Sequence, residues 1–360
     1  MREKILEAQR LMNAACKKLG RQINVMEVCG THTVAIFRSG IKSVLPERLK
    51  LLSGPGCPVC VTDQSYIDTV LQLADRDDCM IATYGDMIRV PGKGGSLETK
   101  QSKAAVRVVL SSEDALQLAR DNPEKKIIFV AVGFETTTPA TAVAVKEAAG
   151  QGIDNFYILS GHKLVVPAMR ALLSAKNNNI DAFLCPGHVS VITGYGAFRE
   201  IVEDFERPCV VAGFEAVQII EGLAEICSQL AAGQPELKSM YSAVVTEQGN
   251  AAAQRIVAEC FEPADGYWRG LGKIAKSTLR LRDEYSKFDA LKQFNITETP
   301  GKEATGCRCG EVLCGLIDPP QCGLFATSCT PDDPVGACMV SAEGACAVWF
   351  KYARKENRER

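Results

Sequence analysis

Short apolar runs, most of them ending in a glycine-containing turn and each followed by an amphipathic stretch, recur along this chain and restrict it to one class of fold. That alternation is the pattern of β–α units, whose strands lie parallel because a helix carries the chain back between them. The runs fall into two sets. The first is Val25 to Thr33, Leu51 to Gly54, Met80 to Asp86 and Val106 to Ser111. The second is Phe129 to Thr137, Ile158 to Gly161, Phe183 to His188 and Cys209 to Glu215. Corresponding turns stand about 100 residues apart, and Leu52-Ser53-Gly54 recurs as Leu159-Ser160-Gly161. The expected fold class is α/β: two similar βα-repeat domains with parallel sheets facing a cleft, plus a small Cys-rich domain that binds a metal group.

The expected boundaries follow composition. Residues 1–122 hold an N-terminal helix over 3–19, stopped by Gly20, and the first α/β domain; Asp121-Asn122-Pro123 marks its end. Residues 123–232 form the second α/β domain, closed by Gly233-Gln234-Pro235. Residues 233–360 begin with one long helix expected over 236–260 and end in a cysteine-rich tail. The tail's turns, Pro319-Pro320, Pro331 and Pro334, exclude long regular elements. Such a loop-rich segment buries little apolar area and calls for a metal.

Composition excludes several classes of function. With 46% hydrophobic and 23% charged residues and a formal net charge of -2, nothing points to nucleic acid or an anionic membrane surface. No apolar run approaches the roughly 20 residues of a membrane helix. The N-terminus, Met1 to Glu7, is charged throughout and lacks a signal-peptide core. The expected location is the cytoplasm, where sixteen cysteines are no disulfide framework. Cys16, Cys79, Cys209, Cys227 and Cys260 read as small buried apolar residues. Seven others, Cys307, Cys309, Cys314, Cys322, Cys329, Cys338 and Cys346, crowd the last 54 residues.

Open parallel sheets bind ligands beyond the carboxyl ends of their strands. Cys29-Gly30-Thr31-His32, the Cys57 to Cys60 stretch, Glu135, His162 and His188 all follow expected strand ends, so two facing sheets gather them into one cleft. In Gly54-Pro55-Gly56-Cys57-Pro58-Val59-Cys60, two thiols sit in a turn stiffened by proline. The pair suits a redox-active dithiol, a disulfide or half a metal site. A four-cysteine zinc site needs a second close pair, and Cys307-Arg308-Cys309 is too tight and too distant to supply it. Cys29 precedes an expected helix, whose terminal N–H groups lower a thiol's pKa. His32 reads as a base, a ligand or a buried hydrogen-bonding group. The widely spaced tail cysteines suit an iron–sulfur cluster wrapped by a loop, with zinc as the alternative. Gly92-Lys93-Gly94-Gly95-Ser96 departs from the phosphate-loop pattern and reads as a mobile surface loop.

Several of these stretches together resemble the HypD family of [NiFe]-hydrogenase maturation factors. They are Cys29-Gly30-Thr31-His32-Thr33, the Gly54 to Cys60 turn, Pro186-Gly187-His188-Val189-Ser190-Val191-Ile192, Cys309-Gly310-Glu311-Val312-Leu313, Cys329-Thr330-Pro331 and Ser341-Ala342-Glu343-Gly344-Ala345-Cys346. The likeness runs from about residue 23 to 350. It implies an assembly scaffold rather than a stand-alone turnover enzyme, on which an iron ion acquires cyanide and carbon monoxide ligands before delivery to a hydrogenase large subunit. It implies a small HypC-type chaperone as partner and a HypE-type cyanide donor, itself served by a HypF-type protein. Carried over by position, Cys29 would hold the iron jointly with a chaperone cysteine, with His32 beside it. Cys57 and Cys60 would be the redox dithiol. Cys309, Cys322, Cys329 and Cys346, spaced C-x12-C-x6-C-x16-C, would bind a [4Fe-4S] cluster, leaving Cys307, Cys314 and Cys338 outside the set. The family's first motif often ends in a second histidine; Val34 stands there in this chain, which leaves Cys29 and His32 as the pair. The alternative function is an iron–sulfur thiol–disulfide reductase acting on a protein partner.

Overall fold

The computed structural model describes residues 2–100 and 105–353. Two parallel sheets dominate it. The first has the order β2-β1-β7-β8-β9, built from β1 (Ile23–Glu27), β2 (Leu49–Ser53), β7 (Ala182–Pro186), β8 (Cys209–Ala212) and β9 (Leu237–Ser239). The second has the order β4-β3-β5-β6, built from β3 (Cys79–Thr83), β4 (Ala105–Val108), β5 (Lys126–Gly133) and β6 (Phe156–His162). Seven of the eight residues of β5, Lys-Ile-Ile-Phe-Val-Ala-Val-Gly, are buried, as a central strand covered on both faces requires. A hairpin of β10 (Phe261–Trp268) and β11 (Gly272–Leu281) forms the one antiparallel pair of named strands.

Helices return the chain between strands: α2 (Gly30–Arg38), α3 (Pro58–Val61), α4 (Gln64–Ala74), α5 (Leu97–Lys100), α6 (Ser112–Asp121), α7 (Thr138–Gln151), α8 (Val165–Ser174), α9 (Gly187–Thr193), α10 (Arg199–Phe205) and α11 (Ala216–Ala232). A reciprocal capping box between Ser111 and Asp114 starts α6. The N-terminal helix α1 (Arg2–Leu19) is where its spacing predicts, and buries Ala8, Met12, Ala15 and Cys16 in one cluster with Ile219, Ile220 and Leu223 of α11. The remaining helices are α12 (Ala251–Cys260), α13 (Ala290–Gln293), α14 (Cys309–Leu313), α15 (Ala337–Val340) and α16 (Ala345–Val348). The last three are single turns, consistent with a tail rich in proline.

The strands group differently from their order in sequence. The first sheet takes β1 and β2 from the first set of runs and β7 and β8 from the second, while β3 to β6 make the second sheet. The expected boundary at 122 therefore falls inside the second sheet. Each sheet still ends in related turns, Gly187-His188 and Gly213-Phe214-Glu215 in one, Gly161-His162 and Gly133-Phe134-Glu135 in the other.

The helix expected over 236–260 is instead β9, an irregular connection and α12. Leu237 pairs with Cys209 to extend the first sheet. Gly249 adopts φ +69°, and a Cβ there would lie 2.2 Å from Gly194 N, so the chain must turn at this point. Asn250 then caps α12, its side chain accepting from Ala253 N–H at 3.0 Å. The glycine-rich loop at 92–96 closes as a tight turn, with Gly92 and Gly95 exchanging backbone hydrogen bonds of 2.8 and 3.2 Å.

The largest core cluster draws on both sheets, the hairpin and the tail, through Leu52, Cys60, Val130, Phe183, Trp268, Cys309 and Cys338. The tail is thus seated in the same apolar interior as the sheets. Cys16, Cys79, Cys209, Cys227 and Cys260 are buried as expected. Among the described residues no helix is long and apolar enough to cross a membrane.

Candidate functional site

The carboxyl ends of both sheets open on one cleft of about 480 Å³. The first sheet contributes Cys29, Gly56, Pro58 and His188; the second contributes Tyr84, Asp86 and Phe134; the tail contributes Glu343. Backbone contacts lock the loops together. A Cβ on Gly56 would lie 2.2 Å from Cys29 N, and Gly30 N–H donates to Gly56 O at 3.0 Å. A Cβ on Gly30 would in turn meet Glu343 Cβ at 2.6 Å. Glu343 accepts from Thr31 Oγ1 at 2.7 Å, and Asp86 accepts from Ser341 Oγ at 2.8 Å, so the tail is tied to both sheets.

Cys29 is the N-cap residue of α2 and is buried. Its thiol is pushed up to about 12 by burial, with the charges of Glu27 and Glu343 adding to the rise and the N–H groups of His32 and Thr31 opposing it. The expected lowering by the helix terminus is outweighed. Glu27 beside it is also buried, accepts from Thr33 Oγ1 at 2.6 Å and from Cys29 N–H at 3.4 Å, and is pushed up to about 8 by burial. This corner favours protonated, neutral groups until a cation supplies compensating charge.

The three histidines take different places. His32 donates from Nε2 to Gly213 O at 3.0 Å, and its Nδ1 is buried without a partner. Burial lowers it to about 4, so the ring is neutral at pH 7. It does not line the cleft. The Phe214 ring packs against both it and His188, with centroids 4.9 Å from His32 and 4.0 Å from His188. His188, stacked on that ring, is the histidine that shares the cleft lining with Cys29. His162 is elsewhere: Nε2 meets Thr141 Oγ1 at 3.1 Å, Phe261 packs edge-on, and burial lowers it to about 3. Glu135 also lies off the cleft lining. Its Oε1 accepts from Val165 N–H at the start of α8 at 2.9 Å, and burial pushes it up to about 7.

Cys57 caps α3 and its Sγ accepts from Cys60 N–H at 3.3 Å; the two Sγ atoms stand 2.6 Å apart, within reach of a disulfide. Pro58 and Val59 line the cleft, while Cys57 and Cys60 are buried beneath it, 4% and 0% exposed. Burial, with Cys338 and Cys57 adjoining, drives the Cys60 thiol well up.

Behind the dithiol lies a second, apolar pocket. Cys307, Cys309, Cys322, Cys329 and Cys346 line it together with Val312, Leu324, Phe325 and Met339. All four cysteines of the C-x12-C-x6-C-x16-C pattern therefore meet, with Cys307 as a fifth. Val335 N–H donates to Cys329 Sγ at 3.3 Å. Cys338 sits between this pocket and the dithiol. Hydrogen bonds from Cys309, Cys346 and Cys60 hold it well below the ordinary thiol value. Sulfur contacts thus run from Cys57 through Cys60 and Cys338 to Cys309 and Cys346. Cys314 points aside, to Gly270 O at 3.7 Å. Among the described residues no three His, Cys, Asp or Glu side chains close around a point at single-ion spacing.

Sequence reasoning assigned no role to Glu27, Asp86 or Glu343. Glu27 carried a signal: a carboxylate interrupting the apolar run of β1, two residues before Cys29. Asp86 and Glu343 carried none beyond their neighbours, because their place depends on the tail folding back.

Comparison with known proteins identifies the family. The family model HypD, described as "Hydrogenase formation hypA family", matches residues 3–353. The chain is 43% identical over 339 residues to the hydrogenase maturation factor HypD of Escherichia coli, covering 94% of this chain and 91% of that protein. It is 40% identical over 343 residues to the hydrogenase expression/formation protein HupD of Azotobacter chroococcum, covering 93% and 90%. It is 40% identical over 344 residues to the HypD maturation factor of Cupriavidus necator, covering 93% and 91%. A whole-chain match, with the Cys29 loop, the dithiol turn and the cysteine tail folded into one contiguous site, places this chain in the HypD family of hydrogenase maturation factors.

Proposed function

We propose that the cleft holds an iron ion at Cys29 while the ion acquires cyanide and carbon monoxide, for delivery to a [NiFe]-hydrogenase large subunit. The observation that carries this is the joint presence of the Cys29 thiol, His188 and Glu343 on one cleft whose floor is the dithiol turn. A thiolate suits low-spin iron(II) carrying strong-field ligands. Binding the cation displaces the Cys29 proton and offsets the cost of ionising a buried thiol. His32 is spent on Gly213 O, so His188 is the imidazole available to the cargo, and His32 positions the Phe214 ring against it.

The donor set of the second pocket fits a [4Fe-4S] cluster held by Cys309, Cys322, Cys329 and Cys346: several thiols gathered within apolar walls. Such a group supplies single electrons when bound. Cys57 and Cys60 exchange two, passing between dithiol and disulfide. Cys338 keeps the two sulfur sets in contact, and the Gly54–Gly56 backbone holds the dithiol against Cys29.

The expected partners are a HypC-type chaperone, which contributes a cysteine to the iron, and a HypE-type cyanide donor served by a HypF-type protein. The reductase reading draws on the sulfur continuity alone. Burial of both dithiol sulfurs beneath the cleft closes them to a protein disulfide.

Infrared spectroscopy of anaerobic protein co-purified with its small chaperone tests the proposal. Bands of metal-bound cyanide and carbon monoxide are expected, and are expected to vanish in Cys29→Ala. An intact iron–sulfur group without those bands in the unsubstituted protein would favour the reductase. Zinc in place of iron and acid-labile sulfide would overturn the cluster assignment.

A further inference from the structure

The turn between β10 and β11 carries Arg269, whose side chain is only 3% exposed. A guanidinium stays protonated at any pH a protein meets, so a permanent charge is buried here. Its hydrogen-bond partners are neutral. Nε donates to Thr62 O at 3.1 Å, and Nη2 donates to Gln64 Oε1 at 3.3 Å. Among the described residues no carboxylate stands within ion-pair distance of it. Glu303 lies near the same junction, its Oε1 3.3 Å from where a Cβ on Gly310 would stand, without forming an ion pair with Arg269.

The position is as informative as the isolation. Arg269 N–H donates to Val61 O at 2.9 Å, and Thr62 bridges to Trp268, so the turn is fastened to the segment directly after Cys60. On its other side, Gly270 at φ +76° packs backbone to backbone on Gly310; a Cβ there would lie 2.2 Å from Gly310 Cα. The hairpin turn is a wedge between the dithiol helix and the Cys309–Cys314 segment. The junction is close: Cys314 Sγ stands 3.7 Å from the carbonyl oxygen of Gly270, the residue after Arg269.

We propose that Arg269 is the counter-charge of the thiol pocket. It permits several ionised cysteines to gather in an apolar space, and it raises the reduction potential of the group they hold. The inference rests on reading that pocket as an iron–sulfur site. Reduction there adds one electron, taken from an external low-potential reductant, with no compensating proton. A fixed positive charge stabilises the added negative charge, since cluster potentials follow net charge and solvent exposure. Removing the charge makes reduction harder.

The test is a potentiometric titration of the anaerobically reconstituted full chain, followed by electron paramagnetic resonance, in Arg269→Gln and Arg269→Lys. Arg269→Gln is expected to lower the equilibrium constant for reduction about tenfold, a shift of about 59 mV to more negative potential for a one-electron couple. Arg269→Lys, which keeps the charge and changes the hydrogen bonds, is expected to stay near the unsubstituted protein. If the glutamine variant folds but holds no group while the lysine variant holds one, the counter-charge role is also supported. An unchanged potential in Arg269→Gln would overturn the inference, as would equal shifts, or equal loss of the group, in both variants. Absence of any paramagnetic signal and of acid-labile sulfide in the unsubstituted protein would overturn the pocket reading together with it.

Discussion

Glu135 and His162 each bury a titratable group with one atom, Oε2 and Nδ1, left without a partner. Their effects on stability run in opposite directions. The folded pKa of Glu135, about 7, lies above its ordinary 4.5, so its contribution is full below pH 4.5 and is lost as pH rises through 7. The folded pKa of His162, about 3, lies below its ordinary 6.5, so its contribution is present above pH 6.5 and is lost as pH falls toward 3. Between those ordinary values the two slopes cancel. Glu135→Gln removes the Glu135 slope and leaves that of His162, so between pH 4 and pH 8 it is expected to gain about 3 kcal/mol relative to the unsubstituted chain, whose two terms offset each other, read from urea midpoints at both pH values. His162→Gln is expected to flatten the acid limb instead. Equal pH profiles for all three proteins would refute this. At this scale the neighbouring placement of Cys29 and the Cys57 to Cys60 turn was legible, because both follow strand ends marked by glycine. The choice between His32 and His188 was not. Both follow a glycine near a strand end, and only a carbonyl 181 residues from His32 decides which ring is engaged.

Two glycines separate local preference from tertiary demand. A Cβ on Gly56 would strike three backbone atoms at 2.2 to 2.6 Å, Cys29 N and Cα and Val28 C, none of which can swing away. Gly56→Ala is expected to destabilise the fold by about 3 kcal/mol and to weaken iron binding, because the Cys29 loop must shift. Gly150, within α7, has nothing within 4 Å of an added Cβ. Gly150→Ala is expected to stabilise by about 0.5–1 kcal/mol through helix propensity alone. Urea unfolding reads both, and a stabilised Gly56→Ala would contradict the close approach. The strands themselves were legible at this scale because apolar runs and glycine turns are local signals. The stretch 236–260 misled, since Leu237, Met240, Tyr241, Val244 and Val245 mimic a helical stripe. Leu237 pairs into a sheet and Val245 packs into the main core, neither of which periodicity reveals.

The whole molecule interleaves its sheets. Pairing partners follow from which strand ends meet across a cleft, so the α/β class could be read from sequence while the membership of each sheet could not. A fragment ending at residue 122 separates β3 and β4 from β5 and β6, and β1 from β7. It is expected to show no cooperative thermal transition, whereas the full chain unfolds cooperatively; a sharp transition in the fragment would count against the interleaved arrangement. The same topology sets a clock. Thr31 waits for Glu343, 312 residues downstream, before the cleft gains its last wall. At about 5–20 residues per second, that is roughly 15 to 60 s of synthesis during which Cys29 and its neighbours lack their finished surroundings. A nascent or truncated chain offers unsheltered thiols but no completed cradle. On the proposed reading, only chains that the ribosome has carried past the tail are expected to take up metal in the cleft.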